Sequence, residues 1–253
     1  MNFRTNARTT TALLTVALTG LAPIAAQADT TSDQLQYEAT IYGWFPAIGG
    51  STAFPDISSG SSVDVTADQV IDALKMAFMG TFGVKKGQWG AWTDVVYADL
   101  GGSKSGKFGY TNASLDMKSW LWTVAGTYEL AKTPENTTDL VFGARLLDIQ
   151  QTLGLSLLGV GKSIEVTENF WDAIIGVKGA VYLGAEKKWF VPYYADIGTG
   201  QSDLTWQVNA GIGYRYNWGA VVASWRYLDY EFSDSPIQSL NFNGPLIGAT
   251  FVW

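Results

Sequence analysis

The 253-residue chain contains no histidine and no cysteine. The first absence removes the side chain whose unperturbed pKa suits proton transfer near neutrality, and with it the hydrolytic chemistries built on an imidazole base. Together the two absences exclude imidazole and thiolate metal sites, leaving only oxygen-ligand sites for Ca²⁺ or Mg²⁺. No catalytic set, metal or other cofactor is therefore expected. Disulfide staples are excluded as well. Positive charge is scarce, with 16 Lys and Arg against 23 Asp and Glu. Nucleic acid is not an expected partner for such a chain. Beyond the N-terminal segment there is no run of 18 apolar residues, so no membrane-spanning helix is expected.

The N-terminus reads as a secretory leader over residues 1–28. Arg4 and Arg8 are followed by a short apolar run through Leu21 and by small residues at Ala26-Gln27-Ala28. Setting aside 28 of 253 residues leaves 225, enough for one domain at residues 29–253. What remains is rich in 11 Trp, 12 Tyr, 12 Phe and 28 Gly, the texture of a twisted, aromatic-bearing sheet. Without a spanning helix, such a chain crosses a bilayer only as a closed barrel.

Period-2 alternation points to that barrel. Spanning strands need roughly 9–11 residues, and the alternation predicts ten: 35–47, 76–85, 89–100, 115–130, 139–150, 171–183, 189–197, 204–216, 220–232 and a closing strand ending at Trp253. In the eighth, Leu204, Trp206, Val208, Ala210 and Ile212 alternate with Thr205, Gln207, Asn209, Gly211 and Gly213. Connections after the second, fourth, sixth and eighth strands are short, while 48–75 and 151–170 read as long loops. Trp89, Tyr128, Trp189, Tyr214, Trp218 and Trp253 crowd the short-turn ends, as an interfacial aromatic girdle requires. A soluble β-sandwich shares the alternation but not this bias of aromatics towards the turns. The fold class is thus an all-β, transmembrane, antiparallel up-and-down barrel. Trp253 serves as the interfacial anchor of its closing strand.

Three groups of residues bear on function. Inward positions carry Glu38, Glu129, Arg145, Lys178, Arg215 and Arg226, with Asp94 a further candidate. They form either a mutually paired network or a lining that guides solutes, because an unpaired charge in a narrow interior is costly. Residues 66–74 read as a short amphipathic helix, with a Thr66 cap, acids Asp68 and Asp72, and Val70, Ile71 and Leu74 on one face. This helix either plugs the mouth or rests on the rim. In the plug arrangement the two acids approach Arg226 or Arg215. Finally, Asp99, Asp148, Asp196 and Asp229 recur in similar Tyr/Leu-x-Asp contexts near the outer ends of strands. They read as outer-rim acids, either strand terminators at headgroup level or a collar sharing divalent cations with lipopolysaccharide.

The segments Tyr42-Gly43-Trp44-Phe45-Pro46-Ala47, Ala77-Phe78-Met79-Gly80, Lys86-Gly87-Gln88-Trp89-Gly90, Trp225-Arg226-Tyr227-Leu228-Asp229-Tyr230 and the Gly244-Pro245 strand resemble those of a group of porin-like proteobacterial outer-membrane barrels. That group has no settled activity, so the resemblance implies fold and location and supplies no catalytic residue. The expected partners are outer-membrane lipid and lipopolysaccharide, the barrel-assembly machinery, and small polar solutes passing a narrow lumen. The rival expectation is a closed barrel acting through its extracellular loops.

Overall fold

The computed structural model of the protein describes residues 34–52, 61–105, 111–157, 160–233 and 237–253; the expected leader at 1–28 lies outside them. The chain runs through β1 (Gln36–Trp44), β2 (Ala47–Thr52), β3 (Ser61–Val65), α1 (Ala67–Ala73), β4 (Leu74–Lys86), β5 (Trp89–Ser105) and β6 (Thr111–Lys132). It continues through β7 (Asn136–Leu157), β8 (Val160–Leu183), β9 (Trp189–Gly200), β10 (Leu204–Arg215), β11 (Ala220–Glu231) and β12 (Ile237–Val252).

Each strand pairs antiparallel with its neighbour, and β1 pairs with β4 on one edge and β12 on the other. That pairing closes a ten-stranded barrel of β1 and β4 to β12, so the sheet has no edge strand. The alternation sets the faces. On β10, Thr205 and Gln207 are buried in the interior while Val208 and Ile212 stand exposed on the outside.

Four short turns and the C-terminus share one end, which is the periplasmic end of such a barrel. The β4–β5 turn needs Gly87, whose φ of 61° is costly for a residue with a Cβ. At the same end Trp253 exchanges two backbone hydrogen bonds with Tyr37, at 2.9 and 3.1 Å, and stacks on its ring at 5.9 Å. Deleting Trp253 should therefore lower the folded, heat-modifiable fraction recovered after refolding. An unchanged yield would remove its anchoring role.

The outer end departs from expectation. Residues 151–170 are not a long loop, because the β7–β8 ladder continues unbroken from Asn136↔Val181 to Leu157↔Val160. The apolar, Gly-broken composition of this stretch suggested a loop. Beyond the bilayer, however, a hairpin needs only a partner for each backbone group and no lipid-facing alternation. Residues 48–75 likewise contain structure, namely β2, β3 and α1. The hairpin β2–β3 rides on the outer half of β12, with β2 prolonging β1 past Phe45-Pro46. Gly244 lies against this junction, where a Cβ would run into the Phe45 carbonyl.

Candidate functional site: the barrel lumen

The interior is stacked in tiers. At the periplasmic end a cavity of about 580 Å³ reaches up from the β10–β11 turn between Arg215, Lys178, Trp92, Tyr182, Asn209 and Ser224. Arg215 lies over the Tyr182 ring at 4.7 Å and Lys178 over Trp92 at 5.3 Å, so both cations rest on aromatic faces. Glu38 lines the same cavity. Beside it Lys85 bridges Glu129 at 2.6 Å and Asp139 at 2.9 Å. The Oδ1 of Asn209 and Oγ of Ser224 are buried without a hydrogen bond inside the protein, and both belong to the cavity wall.

Above the cavity lies an ionic belt. Arg226 donates to Asp94 at 2.9 Å, to Tyr42 at 3.1 Å and to Gln207 at 2.8 and 3.1 Å, and its guanidinium lies 4.6 Å from the centre of the Trp44 ring. Tyr42 in turn donates to Asp94. Arg145, wholly buried, pairs with Asp196 and donates to Thr123 at 3.3 Å and Thr205 at 3.4 Å; the Tyr194 hydroxyl also donates to Asp196. Asp172, directly across the ladder from Arg145, accepts the Ser202 backbone N–H at 2.8 Å. The Arg145 and Arg226 guanidiniums thus meet carboxylates and amide or hydroxyl oxygens, the arrangement that makes buried charge tolerable.

The outer tier is apolar. Trp44, Val96, Leu121, Leu147, Leu228, Tyr230, Phe232 and Phe242 form one cluster, and Val70 of α1 joins it from above. Leu147, Leu228 and Tyr230 have 1, 0 and 0% of their surface exposed, so the lumen is closed at this level.

The six inward charges expected from sequence all project into the interior, Glu129, Arg145 and Arg226 in ion pairs and Glu38, Lys178 and Arg215 along the cavity. Asp172, Lys85 and Asp139 join them unforeseen. Their inward parity was readable, but Lys85 and Asp139 stand at strand ends and Asp172 adjoins an expected loop.

Of the four rim acids, Asp99, Asp148 and Asp229 lie on outward positions of their strands, whereas Asp196 does not. Asp99 stands ten residues after outward Trp89, but Asp196 stands seven after outward Trp189, and an odd offset turns a strand residue to the opposite face. The local motif is shared and the parity is not. Asp196 is consequently the lumen partner of Arg145 and no part of a rim.

The α1 helix also differs in part from its expectation. Its N-terminus carries a capping box between Thr66 and Gln69, yet among its apolar residues only Val70 is buried. Ile71 and Leu74 remain 46 and 38% exposed, and Leu74 is the C-cap. Asp68 and Asp72 are exposed, while Arg226 finds its carboxylate in Asp94. In the periplasmic turn, hydrogen bonding from Lys188 holds the Glu186 carboxyl below its usual pKa.

The exterior completes the picture. One aromatic ring at the periplasmic end contains Trp89–Tyr128, Trp189–Tyr214 and Tyr216–Trp218, and a second contains Tyr97–Trp120, Trp122–Trp171 and Trp206–Tyr227. Between them lie exposed Ile41, Phe82, Val124, Phe142, Ile175, Val208, Ile212 and Ile247. A closed barrel with an apolar band between two aromatic rings spans a Gram-negative outer membrane.

No protein-family model matches the chain, and no curated protein matches it. Among solved structures it is similar to the translocator domain of the autotransporter NalP from Neisseria meningitidis, at 13% identity over 89% of each chain with a TM-score of 0.44. It is also similar to the Yersinia pestis attachment protein Ail, at 9% identity over 87% of this chain and 98% of that one, with a TM-score of 0.37. A third is the Pseudomonas putida toluene transporter TodX, at 11% identity over 89% of each chain with a TM-score of 0.32. These are outer-membrane barrels.

Proposed function

We propose that this outer-membrane barrel is a narrow passage for small polar solutes that is shut at rest. The observation that supports the reading is the roughly 580 Å³ periplasmic cavity, which is lined by Lys178, Arg215 and Glu38. A barrel with only a structural role gains nothing from keeping an open space lined by charged side chains, whereas water and small polar solutes are suited to one. Above the cavity, the ionic belt and the apolar tier form the gate, with α1 as its outermost element. On this reading residues 1–28 are the leader that directs export, and lipopolysaccharide surrounds the outer wall near Asp99, Asp148 and Asp229.

The test is planar-bilayer conductance of the purified protein. The parent should be silent or open only briefly. Deleting residues 62–74 should make openings longer and several-fold more frequent, because Val70 no longer seals the apolar tier from above. If the deletion variant folds, as judged by heat-modifiable migration, and stays as silent as its parent, the passage fails and a closed barrel acting through its outer hairpins replaces it.

A further inference from the structure

The barrel wall has a break in its hydrogen bonding. The β1–β4 ladder runs from Gln36↔Lys85 to Ile41↔Gly80 and ends there, although β1 continues to Trp44 and β4 already runs from Leu74. In the ladders, β4 residues 74 and 76–79 pair with β5 alone. The Trp44 N–H, with no β4 carbonyl to meet, donates to the Met79 thioether at 3.1 Å, a weak acceptor. Unpaired backbone in a membrane-embedded wall is costly. The seam between β1 and β4 is therefore a weak line in this barrel.

The seam sits at the outer aromatic ring, since Phe78 pairs with Tyr97 and Tyr97 with Trp120. The α1 helix spans it, touching β2 on one side and β5 on the other. Beneath the helix a second cavity, of about 60 Å³, lies against the inner side of this seam. It is lined by lumen-facing Leu121, Leu147 and Phe242, by Trp44 and Met79 at the seam, and by Phe45, which is 37% exposed. Ser119 supplies the only side-chain hydroxyl of the lining. An ordered water needs two to four polar partners, so this cavity suits hydrocarbon.

We infer that the β1–β4 seam is a lateral port that takes an alkyl chain of a membrane amphiphile from the bilayer into the apolar outer tier. The bilayer is the source because exposed Phe45 lines the cavity and Phe78, the chain neighbour of Met79, stands exposed on the lipid-facing side of the seam. The cavity accommodates the first few carbons, and deeper entry requires α1 to rise. The site is separate from the periplasmic cavity, so it stands whether or not polar solutes pass.

Photolabelling tests it. The full protein is reconstituted in vesicles containing a phospholipid with a diazirine at the end of one acyl chain, and in parallel vesicles carrying a free diazirine fatty acid. Adducts are then mapped by mass spectrometry. Label is expected on lumen-facing Leu121 or Leu147, which bilayer lipid reaches only through the wall, in addition to outward Phe78 and Trp120. Ala98→Phe and Ser119→Leu each fill the cavity and should reduce the lumen label at least several-fold, leaving the outward label as internal reference. Lumen label from the phospholipid identifies the occupant as bilayer lipid; lumen label from the fatty acid alone identifies a free single-chain amphiphile. Label confined to outward residues with both probes, on protein that is folded by heat-modifiable migration, overturns the port. So does lumen label that neither filling substitution reduces.

Discussion

Arg145→Met is expected to destabilise the barrel by about 3–5 kcal/mol, the usual cost of removing one partner from a buried ion pair. Arg145 is fully buried, and its loss leaves Asp196 without its guanidinium while Asp172 faces it across the ladder. Methionine keeps most of the volume, so the effect reads charge and not a cavity. The double variant R145M/D196N should recover a substantial part of the loss, since the surviving carboxylate is then gone. Chemical denaturation in lipid vesicles, followed by gel migration, measures both. Lys85→Met, whose ammonium is partly exposed between Glu129 and Asp139, should cost clearly less. Equal losses at Arg145 and Lys85 would mean that the belt does not hold the middle of the barrel together.

Val208→Arg is expected to cost about 2–4 kcal/mol, the penalty for a guanidinium placed on the lipid face near the middle of a spanning strand. Val208 is 42% exposed on the outward face of β10, between the two aromatic rings. The adjacent Asn209→Arg should cost far less, because position 209 opens into the large periplasmic cavity where a long polar side chain finds water. The contrast between neighbouring residues tests face assignment directly, as a one-residue shift exchanges their environments. Refolding free energies in vesicles decide it, and similar penalties at 208 and 209 contradict the register of the wall.

The wall was largely legible because a barrel strand obeys a local rule. Lipid on one side and lumen on the other alternate with period two, so Val208 and Gln207 declare their faces from composition alone. The ten strands, the short periplasmic turns and the direction of Glu38, Glu129, Arg145, Lys178, Arg215 and Arg226 follow from that rule. It fails beyond the bilayer. There the β7–β8 hairpin rises without lipid to impose alternation, and residues 151–170 consequently resembled a loop.

What tertiary structure alone decided is which inward groups meet. Arg145 and Asp196 are 51 residues apart in sequence, and Tyr42 and Arg226 are 184 apart. Their contact depends on how the closed sheet staggers its strands. The shared Tyr-Ala-Asp motif concealed this, because Asp99 and Asp196 differ only in the parity of their distance from the last turn. The seam is likewise invisible in a single strand, for β1 and β4 each read as continuous. Their ladder stops at Ile41 and Gly80 because the chain between them folds over the rim as β2, β3 and α1, and only closure of the barrel shows what that leaves unpaired.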